Sequence, residues 1–269
     1  MEFVTSVNNQ RVKDVANLKL KKYRAESGLF FAEGLRAVQE AVEYAEVTDL
    51  FFTAAEEEKL SEILKTAKEK DVRLYQADAK VMAKLSDTKT PQGVLAVIRI
   101  PEYGLKKLRP GTASDNNAPV IILDRIQNPG NLGTIIRTAD AVGALGIILL
   151  EGCVDAYSPK VVRASMGSLF HLPVVQDIFP EEALTWCYRN GYEPAATAMK
   201  GAANLYKTDI SKKMAFIFGN EANGVSEELQ AAAETRLFIP MAGQAESMNV
   251  AMAAGIVLFE GLRQRKFIR

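Results

Sequence analysis

PVIILDRIQNPGNLGTIIRTADAVGALGIILL, residues 119–150, opens and closes on two apolar runs, PVIILD and LGIILL. Runs without polar alternation suit parallel strands covered on both faces. Between them Leu132, Ile135, Ile136 and Ala139 recur at i, i+3, i+4 and i+7, the stripe of an amphipathic helix. The segment reads as strand, loop, helix, strand. Further on, EPAATAM, MAFIFG and TRLFIP read as strands, and SMNVAMAAGIVLFEGLRQR as a long final helix with Ser247 near its start. Together these make an open α/β sheet. In such sheets ligands bind beyond the carboxyl ends of the strands, so the loops after LD, FG and IP are where chemistry belongs.

Upstream, LFFAEG, VTDLFFT, VRLYQ and GVLAVIRI read as strands, while LRAVQEAVEYA and AAEEEKLSEILKTAKEK carry apolar residues at helical spacing. These predict a small α/β sandwich over residues 1–100. Residues 101–118 are rich in proline, glycine and small polar residues with no apolar period, the composition of a linker. The second domain then spans 119–269. A chain of 269 residues with 48% apolar content is large enough to bury two cores.

Lys+Arg and Asp+Glu both number 33, so the total charge neither requires nor excludes a nucleic-acid partner. Its distribution is uneven. Arg11, Lys13, Lys19, Lys21, Lys22 and Arg24 stand against one acid, Asp14, whereas the stretch from Glu40 to Glu62 is acidic with Lys59 as its single base. In KLKKYR, Lys21, Lys22 and Arg24 are candidate phosphate contacts with Tyr23 as a stacking ring; a solvated helix face is the competing reading. Arg163, in SPKVVRASMGS, is a second candidate, expected beside the catalytic core. Cys153 and Cys187 form no CxxC and no disulfide framework, and neither has the setting of a catalytic thiol. With a single histidine, His171, no ordinary zinc site is expected. The opening MEFVTSVNNQRVKD lacks signal-peptide character and no apolar run approaches the roughly 20 residues of a membrane span, so we expect a cytoplasmic protein.

Three loops carry the functional reading. In LDRIQNPGNLGTIIRTADAVGA (123–144), Gly130 and Gly133 permit tight turns at a helix N-terminus, although neither GxGxxG nor GxxxxGK[ST] is present. Asn131 reads either as the helix cap or as a ligand-facing amide, and Arg137 lies one position beyond the apolar stripe. In FIFGNEANGVSEEL (216–229), a buried strand ends at Gly219-Asn220-Glu221, with Ser226 placed to cap the next helix. Glu221 is either a solvated carboxylate or a site residue. In FIPMAGQAESMNVAMAAGIVLFE (238–260), Ile239, Met241 and Met248 flank a glycine loop as either an adenine wall or ordinary core. Ser247 and Asn249 read as cap and first-turn residues.

Jointly and in this order, these segments resemble the three motifs of the SpoU–TrmH family of RNA 2′-O-ribose methyltransferases (SPOUT superfamily). The first hundred residues, with LFFAEG followed by a helix, resemble that family's substrate-recognition domain. The resemblance therefore covers nearly the whole chain. It implies a C-terminal α/β domain tied in a trefoil knot, a rare exception to unknotted folds. It also implies S-adenosylmethionine as cofactor, a homodimer through the C-terminal domain, and RNA as partner. Carried over, Thr197, Gly219, Asn220, Ile239, Met241 and Met248 match cofactor positions, and Asn131, Arg137, Glu221, Ser247 and Asn249 match the catalytic set. Met248 stands where many relatives have leucine, a swap that keeps volume and apolarity. Within the family the arginine has been cast as a base. A guanidinium holds its proton tightly, so we read Arg137 as charge stabiliser and phosphate clamp, with Glu221 and Asn131 orienting it or the ribose.

The recognition domain favours ribosomal RNA, from the large subunit, over transfer RNA as substrate. A silent RNA-binding assembly factor is opposed by the joint presence of the catalytic set. A nicotinamide-dependent oxidoreductase lacks its glycine fingerprint and acidic ribose partner.

Overall fold

The computed structural model describes residues 1–111, 115–198, 201–244 and 247–266, in two compact units. In the first hundred residues lie β1 (Glu2–Val4), α1 (Gln10–Asn17), α2 (Lys21–Ser27), β2 (Leu29–Glu33), α3 (Leu35–Tyr44), β3 (Val47–Phe52), α4 (Ser61–Glu69), β4 (Arg73–Ala77), α5 (Ala79–Leu85) and β5 (Val94–Arg99). Their sheet runs β1-β4-β3-β5-β2, parallel from β1 through β4 to β3 and antiparallel where β5 meets β3 and β2. Strand alternation sends Phe31, Phe51, Tyr75 and Leu95 to the face covered by α1 and α5, where the Phe51 and Tyr75 rings stack with centroids 4.6 Å apart. Phe30, Leu50 and Phe52 are buried on the opposite face. The single helix expected over 54–70 is broken into a 3₁₀ turn, Ala54–Glu56, and α4. Between them Glu57 accepts a hydrogen bond from Gln76 Nε2 on β4 at 3.0 Å.

The rest of the chain forms β6 (Val120–Asp124), α6 (Pro129–Ala141), β7 (Gly146–Leu150), α7 (Pro159–Ser165), β8 (Val174–Ile178), α8 (Pro180–Arg189), β9 (Glu193–Thr197), β10 (Ala203–Asn204), β11 (Met214–Gly219), α9 (Glu227–Ala232), β12 (Thr235–Phe238) and α10 (Val250–Lys266). The second unit is built on a seven-stranded sheet in the order β10-β12-β9-β11-β6-β7-β8, parallel at each pairing. Every residue of β6, β7 and β11 is buried, which is why these strands read as unbroken apolar runs. Two residues of the stretch read as a linker, Leu108 and Ala118, join this core. Among the described residues no helix is long and apolar enough to cross a membrane.

Residues 157–171, which contain α7, pack with the first unit although they follow β7 in sequence. Tyr157 lies with its ring centroid 4.9 Å from that of Phe30, and His171 Nε2 is 3.0 Å from Glu40. Arg163 Nη1 reaches Glu33 at 3.2 Å and Asp87 at 3.4 Å. Arg163, expected to meet RNA, thus belongs to the first unit, where its guanidinium is paired with two carboxylates. Its apolar neighbours Val161 and Val162 announce burial but not the core that receives them.

Candidate active site

Strands β12, β9, β11 and β6 are neighbours, so the loops at their carboxyl ends meet along one edge of the sheet. Gly219 closes β11 opposite Asp124 of β6. A Cβ on Gly219 would fall 2.0 Å from Gly224 C and Val225 N, so only glycine lets the chain fold back there. Gly224, at φ +68, completes the turn by donating its N–H to Asn220 O at 2.8 Å.

Glu221 projects from this turn into the loop after β6. Its Oε1 accepts from Asn131 Nδ2 (3.0 Å) and Asn128 N (3.2 Å), and its Oε2 from Gln127 N (3.3 Å). Partial desolvation pushes this carboxyl up, but the hydrogen bonds from Asn131 and from the Asn128 and Gln127 amides outweigh it, and the net shift is downward. The group is an orienting anion rather than a ready proton acceptor.

The two helix caps differ from expectation. Asn128, not Asn131, caps α6, accepting from Gly130 N at 2.8 Å and Asn131 N at 3.3 Å. That leaves the Asn131 amide to bridge outward, and its Oδ1 accepts from Asn249 Nδ2 at 3.0 Å. Asn249 Oδ1 in turn accepts from Ala251 N (2.9 Å) and Met252 N (3.3 Å), performing at the start of α10 the capping expected of Ser247. Ser226 occupies the N-cap position of α9 without a side-chain cap bond.

Of the five expected catalytic residues, Asn131, Glu221 and Asn249 are therefore joined. Arg137 and Ser247 are not. Arg137 is exposed, nearly two turns further along α6, and neither side chain forms a hydrogen bond or ion pair with the described residues. Among the cofactor candidates, Thr197 donates to Ile217 O at 3.2 Å. Asn220 donates to Arg125 O (2.9 Å) and accepts from Ala222 N (2.9 Å) and Asn223 N (3.2 Å), so its amide shapes the loop. Ile239, Met241 and Met248 are half-buried.

Two further residues escaped the sequence reading. Asp124 is buried; its carboxylate accepts from Ser226 N at 2.8 Å, and from Arg125 Nε and Nη2 at 2.7 and 3.1 Å. An acid ending an otherwise apolar strand was the available signal, because a buried carboxylate needs partners. Arg125 has φ +55, a left-handed conformation that costs a non-glycine residue of order 1 kcal/mol. The hydrogen bond and charge of Asp124 raise its already high pKa. Nearby, burial pushes the Cys153 thiol up to about 11, and that of Cys187 up to about 12, the opposite of a nucleophile's need.

The basic stretch proves half internal. Arg11 pairs with the buried Asp49, and Lys19 Nζ donates to Lys84 O at 2.9 Å and to Ser86 O at 2.6 Å. Arg24, expected to face phosphate, is only 4% exposed and donates to Leu18 O at 2.7 Å. It ties the α1–α2 connection instead, because a buried guanidinium must satisfy its donors within the protein. Lys21 and Lys22 are exposed, Lys22 lying 3.8 Å from Glu26.

A parallel α/β sheet with polar side chains gathered at the carboxyl ends of its central strands is the architecture of a ligand-binding α/β enzyme domain. Residues 118–259 match the model of the SpoU rRNA Methylase family, and residues 9–96 that of the MRM3-like substrate binding domain. The chain belongs to the SpoU rRNA methylase family. It is 34% identical over 259 residues to the 23S rRNA (guanosine(2553)-2′-O)-methyltransferase RlmP of Bacillus subtilis, covering 96% of this chain and 98% of that protein. The AdoMet-bound rRNA methyltransferase from Sinorhizobium meliloti superposes with a TM-score of 0.88 at 34% identity, covering 98% of both chains. The SpoU methyltransferase AviRb from Streptomyces viridochromogenes, in complex with AdoMet, gives a TM-score of 0.86 at 32% identity, covering 97% of this chain and 100% of that one.

Proposed function

We propose that this protein transfers the methyl group of S-adenosylmethionine to a ribose 2′-hydroxyl in ribosomal RNA of the large subunit. The observation that carries the reading is the bridge Glu221–Asn131–Asn249, which draws one polar side chain from each of three loops into a single chain of hydrogen bonds. In this reading residues 1–100 bind RNA through a face that includes Lys21 and Lys22, and the span 119–269, apart from residues 157–171 that pack with the first unit, forms the catalytic domain.

The half-buried Ile239, Met241 and Met248 suit an uncharged adenine ring, and with Thr197, Gly219 and Asn220 they would hold the cofactor. When bound, that cofactor supplies an electrophilic methyl on a sulfonium. A ribose hydroxyl is a weak nucleophile, so the protein's task is to align it and favour its alkoxide character. Glu221, held as an anion, fixes the Asn131 amide; Asn131 and Asn249 then offer neutral groups to orient the ribose. Arg137 and Ser247 complete the set as substrate docks, the guanidinium stabilising negative charge on the attacking oxygen and clamping a phosphate.

Met252 and Phe259 are 64% and 51% exposed on α10, seven residues apart and so on one face of the helix. An apolar helical face of this kind favours the homodimer, and the trefoil knot and a cytoplasmic location complete the proposal. The test is transfer of labelled methyl to total ribosomal and transfer RNA, with nuclease digestion and nucleoside mass analysis. A 2′-O-methylnucleoside in large-subunit RNA is expected. Label in transfer RNA alone overturns the substrate, and no transfer by cofactor-bound protein favours a silent binder.

A further inference from the structure

We propose that Arg125 is a further substrate-positioning residue, its guanidinium receiving a phosphate of the RNA backbone beside the reacting ribose; this rests on the RNA-methylation reading above. Arg125 adopts φ +55 directly after β6, and its carbonyl accepts from Asn220 Nδ2 at 2.9 Å. The same bend lets the next amides, of Gln127 and Asn128, meet Glu221. Glycine would meet these demands without strain, so the arginine side chain is not there for the turn.

Two of the other non-glycine residues at positive φ are Asp71 and Asp177, a residue type that tolerates this region. Arginine gains nothing comparable from its own backbone. What it adds is a guanidinium held edge-on by Asp124, through Nε at 2.7 Å and Nη2 at 3.1 Å. Asp124 is itself fixed by Ser226 N–H and buried, so the fork has a rigid base. Pairing through that edge leaves the Nη1 group and the outward N–H of Nη2 free of hydrogen bonds to the described residues, on a side chain that is 44% exposed. An arginine anchored on one edge presents the other at little further entropic cost, in the fork geometry that matches two phosphate oxygens. Its backbone opens the loop that carries Asn131 and is tied by Asn220 to the loop that carries Glu221, so the fork rises from the segment that builds the site.

The competing account is that Arg125 only neutralises Asp124. The two differ in what salt does. Arg125→Gly should bind S-adenosylmethionine within about twofold of the unaltered protein. It should bind a 23S rRNA transcript roughly five- to tenfold more weakly, with the slope of log affinity against log salt shallower by about 0.7–0.9, one phosphate contact. Arg125→Lys should recover most of the slope. If Arg125→Gly does not fold, Arg125→Gln, which keeps a donor for Asp124, carries the same measurement. An unchanged slope overturns the proposal, whether stability falls or not, and so does a loss confined to cofactor affinity. If the unaltered protein neither binds nor methylates ribosomal or transfer RNA, the functional reading itself has failed, a result distinct from an active protein whose variants keep the slope.

Discussion

The loops after β6 and β11 are stitched to each other by Asp124–Ser226, Asn220–Arg125 and the three donors on Glu221. The segment between β12 and α10 is joined to them, among the described residues, through Asn249 and Asn131. One side of the site is thus a cross-braced floor and the other a wall pinned at its end. The contrast teaches a division of labour. The floor is organised by bonds within the chain, whereas among the described residues the side-chain hydrogen bond that ties the wall to it is the amide pair of Asn249 and Asn131.

The severest way to break the floor is Gly219→Ala. Its Cβ would land on backbone atoms that cannot swing aside, and the unfolding free energy should fall by roughly 3 kcal/mol or more, read as a lower denaturation midpoint. A normal midpoint would show that the turn can repack and that the floor is not rigid.

Glu221→Gln should leave the fold intact yet reduce kcat/KM by about a hundredfold or more, because an amide cannot accept from all three converging donors. Its pH behaviour follows from the lowered pKa. The stabilisation from the ionised form is fully present above the unfolded value near 4.5 and is lost as pH falls through the lower folded value. Unfolding midpoints of the native protein and the Gln variant should therefore stay a constant distance apart from pH 8 to 5 and converge below that. Convergence starting above pH 5 would contradict an orienting anion.

Asn249→Ala tests the pin. It removes a helix cap worth about 1 kcal/mol and, with it, the bridge to Asn131. Turnover should drop roughly tenfold or more, and a double-mutant cycle with Asn131→Ala should show coupling between the two. Strict additivity would mean that the wall is held by something else. Arg137→Lys should keep measurable turnover, since charge rather than proton transfer is required of it; complete loss with RNA and cofactor still bound would count against that role. The smallest effect is expected far from the contrast. Replacing Lys21 and Lys22 by alanine should weaken RNA binding several-fold and flatten its salt dependence, with cofactor affinity unaltered.

Sequence alone determined the strand-loop-helix-strand unit, the three loops and the identity of the residues they carry, because these depend on neighbours within a turn or two. It also marked Glu221 and Asn249 as polar groups in the right loops. Only the tertiary structure decided which asparagine caps α6 and which reaches across, since the partners of Asn131 lie 90 and 118 residues away along the chain. The same holds for Arg11, Lys19 and Arg24, whose charge looked outward until Asp49 and buried carbonyls claimed it, and for residues 157–171, claimed by the core of the first unit. Periodicity tells a side chain to be buried or paired. The partner is chosen by the geometry of elements that meet only when the chain folds.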